Sequence, residues 1–96
     1  MYNRHFYASE IVTKGRGLLA DADLSASASG ARAIIYDGVN DKGEILADFY
    51  VGDNLFSPFH PATFIEYHTG LYVVLSGTGV SLNVGYRPST DHMVKK

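Results

Sequence analysis

The chain has 96 residues, 46% hydrophobic and 19% charged, with a net charge of −2 and no cysteine. A domain of this length buries roughly 60–65% of its unfolded surface, enough for one core and too little for a deep catalytic cleft with a lid. The sequence offers no clustered Lys and Arg for nucleic acid, no thiolate or disulfide, and no apolar run of about 20 residues for a membrane span.

The chain reads as a single domain over residues 1–96, with a short N-terminal arm over about residues 1–5 and a polar, frayed tail over about 89–96. Met1–Phe6 lacks the apolar core of a signal peptide, so synthesis in the cytoplasm is expected. Phe6 to Thr13 mixes aromatic and β-branched residues and predicts a first strand. Lys14-Gly15-Arg16-Gly17 is a turn. From Leu18 to Ala26 small and apolar residues alternate with Leu19, Asp21, Asp23 and Ser25. Ala and Leu favour a helix there, but the period of two predicts a strand. Ser25–Gly30 is a short bend. Ala31 to Asp37 predicts a strand with two apolar faces, Asp37–Gly43 a polar hairpin loop, and Glu44 to Val51 the return strand.

Leu55-Phe56-Ser57-Pro58-Phe59-His60-Pro61 breaks the pattern. Its prolines argue against a central strand, and its phenylalanines against a solvated loop. Leu55, Phe56 and Phe59 either cap one end of the core or form an apolar contact patch. Tyr2, Phe6 and Tyr7 pose the same choice for an arm that docks on a neighbour. Ala62 to His68 predicts another strand. The organising stretch follows: Leu71–Leu75 and Val80–Tyr86 read as two strands folded on each other about Gly77-Thr78-Gly79, with Pro88 ending the second. Leu71, Val73 and Leu75 alternate with Tyr72 and Val74, so that strand is expected to be covered on both faces. Seven or eight short strands with turn signals every 8–12 residues predict an all-β antiparallel sandwich or barrel.

The chemistry-bearing residues form no familiar constellation. His5, His60, His68 and His92 are scattered, although His60 and His68 can meet across a sheet; zinc needs three or four converging ligands. The Asp37–Glu44 loop has Val39 and Lys42 where a calcium loop needs oxygen ligands and a glycine. Gly77-Thr78-Gly79 lies between strands, whereas a phosphate cradle opens a helix. There is no Gly-x-Ser-x-Gly elbow. No enzymatic activity, cofactor or metal is expected.

Two segments carry a resemblance. Ala33-Ile34-Ile35-Tyr36-Asp37-Gly38 with Gly43-Glu44-Ile45-Leu46-Ala47 is similar to a hairpin of small tailed-bacteriophage structural proteins. Gly70-Leu71-Tyr72-Val73, Ser76-Gly77-Thr78-Gly79 and Val84-Gly85-Tyr86-Arg87 resemble their closing hairpin, and Gly15-Arg16-Gly17-Leu18-Leu19 their opening strand. The match spans about Gly15 to Arg87 but not the Leu55–Pro61 segment. The resemblance implies a jelly-roll-like β-sandwich made in the host cytoplasm and placed on the capsid exterior. It implies a decoration (cement) protein that binds the major capsid protein, commonly as a trimer. Tyr2, Phe6, Tyr7, Leu55, Phe56 and Phe59 are the candidate contacts. The alternatives are a carbohydrate- or receptor-binding module of a fibre or tail, and a head–tail joining or head-fibre-base component.

Overall fold

The computed structural model describes residues 2–89. Among these, every regular element is a strand: β1 (Tyr2–Phe6), β2 (Glu10–Lys14), β3 (Gly17–Ser25), β4 (Arg32–Asp37), β5 (Glu44–Tyr50), β6 (Phe56–Phe59), β7 (Ile65–Tyr67), β8 (Gly70–Ser76) and β9 (Ser81–Pro88). They form two antiparallel sheets. One runs β1-β9-β3-β6, with β7 also on β3; the other runs β2-β8-β4-β5. β6 pairs with residues 22–25 of β3 and β7 with residues 17–19, so the two short strands share one edge. Nine strands therefore occupy eight positions.

The order of pairing identifies the architecture. β1 pairs with β9, β2 with β8, β3 with β6 and β7, and β4 with β5. This is one long hairpin, rolled up so that β9 also lies against β3 and β8 against β4. Such a rolled hairpin is a jelly-roll β-sandwich. Between the sheets lie Phe6, Leu19, Leu24, Ile35, Tyr67, Leu71, Val73, Leu82 and Val84, all buried. Each such apolar side chain contributes about 1.5–3 kcal/mol relative to exposure. Ala22, Ala31, Ala33 and Ala47 are buried among them and let the sheets approach closely.

Three expectations change. Residues 2–5 are part of β1 rather than a loose arm, and the single strand over Phe6–Thr13 is two strands. The chain crosses between sheets at Tyr7–Ser9, because β9 and β8, the partners of β1 and β2, lie in different sheets. For the same reason β8 and β9 do not form a hairpin. Gly77 (φ 120°) and Gly79 (φ 60°) instead carry the chain across the end of the sandwich, where Ser27 N–H donates to the Thr78 carbonyl at 3.0 Å. Of the expected tail, residues 90–96 lie outside the described residues.

Bulges account for the imperfect alternation in the sequence. The register shifts between Leu19 and Asp21 in β3, and opposite the Ile35–Tyr36 step in β5. The extra residue lets two consecutive side chains turn inward, Leu19 with Ala20 and Leu46 with Ala47. A bulge does this by opposing two residues to one. In β2 the shift between Ile11 and Thr13 places Val12 in the core.

Candidate interaction surface

The six aromatic and apolar candidates fall on opposite edges of one sheet. Tyr2 and Phe6 lie on β1, with Tyr7 in the turn that follows; Phe56 and Phe59 lie on β6, with Leu55 just before it. β9 and β3 stand between the two edges, a separation of about 14 Å at one strand spacing per step. The structure does not bring them into one patch.

Their individual environments differ. Phe6 is only 1% exposed, in the core beneath the Arg4 guanidinium at 4.9 Å, so it is removed from the contact set. Its strand position turns it inward, opposite Leu82. Tyr7 is 73% exposed and leans on His5 at 5.1 Å. Tyr2 packs edge-on against Tyr86 at 5.6 Å. Phe59 is half-buried and stacks on Phe49 of β5 at 5.6 Å, closing the side of the sandwich between the two sheets. That is the capping role. Leu55 is half-buried at φ 60°, and its carbonyl accepts the Ala26 N–H at 3.2 Å. Phe56 stays exposed beside Ser25.

A larger surface lies elsewhere, on the outer face of the β2-β8-β4-β5 sheet. Directly opposed residues in a sheet point to the same face, so the register gives the face row by row. The first row is Ile11, Tyr72, Tyr36 and Ile45, crossing all four strands. The second is Val74, Ile34 and Asp48; the third is Ser76, Arg32 and Tyr50. Ile45 is 53% and Tyr50 57% exposed, while Ile11, Tyr72, Tyr36, Val74 and Ile34 are half-buried by one another. The bulges in both edge strands sit beside the first row and turn Ile11 and Ile45 outward into it.

Within these rows the charged residues are Arg32 in the third and Asp48 beside it in the second. Arg32 donates to Asp48 through Nε at 2.8 Å and Nη2 at 2.5 Å, and its guanidinium lies 5.1 Å from the Tyr50 ring. Hydrogen bonding to Asp48, opposed by partial burial, holds Arg32 above its ordinary value; hydrogen bonding to Arg32 holds Asp48 below the usual carboxylate range. The pair is thus internally satisfied, leaving an apolar face with a neutralised rim.

The opposite face of the molecule is mainly polar, with Leu18, Pro58 and Phe56 toward its β6–β7 edge. Asn3 and His5 oppose Gly85 and Asn83, Asp21 opposes Gly85, Asp23 opposes Asn83, and Ser25 opposes Ser81. The Ser25 and Ser81 hydroxyls are 2.9 Å apart, and His60 Nε2 lies 3.1 Å from Asp23.

His92 lies outside the described residues, and the described histidines do not converge on one site. His60 serves Asp23, whereas His68 lies 3.4 Å from Asp37 and 3.6 Å from Glu66, so the two imidazoles face separate carboxylates. Among the described residues no three His, Asp or Glu side chains are placed to hold a metal ion. A cleft of about 220 Å³ between Arg16, Gly17, Leu18, Glu66 and Ser89 is spanned by the 3.7 Å Arg16–Glu66 pair. It falls below the roughly 300–1,000 Å³ of pockets that enclose small ligands.

Sequence reasoning passed over the outer sheet face, although its signal was present in the two-faced apolarity of Ile34–Tyr36 and Leu71–Leu75. That pattern predicts cover on both faces; among the described residues the structure covers the inner face only. No protein-family model, curated protein or solved structure matches this chain.

Proposed function

We propose that this chain is a non-enzymatic virion component. It acts as a capsid decoration (cement) protein that lays the apolar outer face of the β2-β8-β4-β5 sheet on the major capsid protein at the capsid exterior. One observation carries the proposal: the two central strands of that sheet are apolar on both faces and only one face is covered. Sheets exposed on one side ordinarily alternate apolar-in with polar-out. The opposite sheet does so, which gives the molecule an apolar side suited to a protein surface and a polar side suited to solvent. The resemblance to small phage structural proteins supplies the virion context.

Size supports many weak contacts over one strong one. Four strands wide and three rows long, the face covers about 400 Å². A stable interface takes about 800 Å² per partner. Repeated on a symmetric shell, contacts of this size gain strength through avidity.

The test is co-sedimentation with purified capsid shells lacking this protein. Ile45→Asp and Tyr36→Ser should each lower occupancy at least tenfold, while Phe56→Ala leaves it unchanged. Undiminished occupancy in both face variants would remove the face from the proposal. A second possibility, a carbohydrate-binding module, is favoured by Tyr36, Tyr72 and Tyr50 sharing one face with Arg32 and Asp48. Saturable, competable binding on a glycan array, lost in Tyr72→Ala, would shift the assignment to it.

A further inference from the structure

The two sheets have four edges, and three are blocked against further pairing. β2 is bulged at Val12 and carries Glu10 and Lys14. β5 is bulged at Leu46. The β6–β7 edge is broken in two and contains Pro58, with Pro61 in the gap. Bulges, prolines and charges are the devices by which sheets protect open edges. β1 has neither bulge nor proline, its one cationic residue, Arg4, is paired with Glu10 at 3.5 Å and bonded to the Val12 carbonyl, and it pairs with β9 in unbroken register from Tyr2 to Phe6. Among the described residues, the backbone of Asn3 to Phe6 hydrogen-bonds only to β9. Among the described residues the outer edge of Asn3 to Phe6 is an open ladder.

We propose that β1 is the self-association edge of this protein: two copies pair β1 to β1 antiparallel about a two-fold axis, joining their β1-β9-β3-β6 sheets into one. An antiparallel two-fold pair must place some residue opposite itself, and three registers are available. Centred on Arg4, the pairing opposes two guanidinium groups, which is destabilising. Centred on Asn3, it spans only Tyr2 to Arg4. Centred on His5, it spans Asn3 to Tyr7, opposes Asn3 to the second copy's Tyr7 and Arg4 to its Phe6, and keeps the two guanidinium groups from facing each other. That register is the one the residues favour.

Two consequences fit the rest of the molecule. With one open edge per chain among the described residues, association closes at two copies and does not run on as a fibre. The two-fold axis is perpendicular to the joined sheet, so both apolar outer faces of the β2-β8-β4-β5 sheets point the same way. Side by side they offer about 800 Å², the area of a stable contact. This second consequence rests on the decoration reading; the pairing itself does not. A two-fold pair replaces the trimer that the phage resemblance implies.

The pairing is tested on the isolated protein, without a capsid. Light scattering after size exclusion should give twice the 10.5 kDa chain mass. His5→Lys and His5→Glu should each run at single-chain mass with an unchanged β circular dichroism spectrum, and a 1:1 mixture of them should recover the double mass. The chain has no cysteine, so His5→Cys supplies a single thiol. In the proposed register its Cα lies about 4.5–5.5 Å from its mate, within disulfide reach. Mild oxidation should cross-link it nearly completely, while Asp41→Cys in the β4–β5 loop should remain mostly monomeric. A wild-type mass of one or three chains, or a double mass with no cross-linking of His5→Cys, would overturn the proposal. Because these readouts involve no shell, their failure is distinct from failure of the capsid assignment.

Discussion

Tyr67→Phe should make this protein more stable. Tyr67 sits on β7 opposite Gly17, fully buried, and its ring occupies the space that a side chain at residue 17 would need. Its hydroxyl has no hydrogen-bond partner among the described residues. An unpaired buried hydroxyl costs about 1–3 kcal/mol. Deleting the oxygen leaves a void on the order of 10 Å³, worth about 0.2 kcal/mol of lost packing. The expected net gain is about 1–2 kcal/mol, which for a domain of this size raises Tm by roughly 4–8 °C per kcal/mol. Urea and thermal denaturation at neutral pH measure it directly. The alkaline limb gives a second readout. Burial, aided by the neighbouring Tyr86, pushes the Tyr67 phenol up to about 12 from 10.0. The folded state then holds its proton while the unfolded chain releases it, so stability is full below pH 10 and falls between pH 10 and 12, by up to about 3 kcal/mol. Phenylalanine removes that contribution to the slope. A variant less stable than wild type by 1 kcal/mol or more would refute the reasoning, because the hydroxyl would then have to be paired.

Two further substitutions probe the joints of the roll. The Asp37 side chain, 8% exposed, accepts N–H groups from His68 at 3.0 Å and Thr69 at 2.8 Å, tying the β4–β5 loop to the β7–β8 turn. Burial pushes its carboxyl up, but the Thr69, His68 and Gly70 N–H groups outweigh this and hold it below the usual value. Asp37→Asn should cost about 1.5–3 kcal/mol at neutral pH. The wild type's advantage should be present above pH 4 and disappear as pH falls through the depressed folded value, so the two acid denaturation curves converge. Gly77→Ala should cost about 1–3 kcal/mol by equilibrium unfolding, because residue 77 adopts φ 120° and an added Cβ would overlap the backbone and Cβ of Ala31.

The class of fold was legible because turn signals and period-two runs recur along the chain, and most strands lie within a few residues of where those patterns put them. The topology was not legible. Nothing local distinguishes a β8–β9 hairpin from a crossover, since Gly77-Thr78-Gly79 suits either, and only the distant partners of each strand decide. Phe6 shows the same limit from the other side. Next to Tyr7 it looks like an arm residue, but alternation along β1 sends it into the core and leaves Tyr7 outside. The Pro-bounded segment was legible in part. Its prolines correctly barred a central strand, and a sheet edge is the place where such a segment can still pair.

The outer sheet face shows why composition along a strand must be weighed against the number of layers a chain can build. A strand apolar on both faces calls for cover on both. Every described strand is already committed to one sheet or the other, so no described strand covers the second face of β4 and β8. Ile34, Tyr36, Tyr72 and Val74 reduce their own exposure by lying against one another, but Ile45 remains half exposed at the end of their row. The polar outer face of the other sheet, built from the same chain, shows that the sequence can make a face for water where one is needed. The difference between the two faces is what the decoration proposal rests on: one side of the molecule presents mainly polar groups, and the other presents apolar rows that no described strand covers.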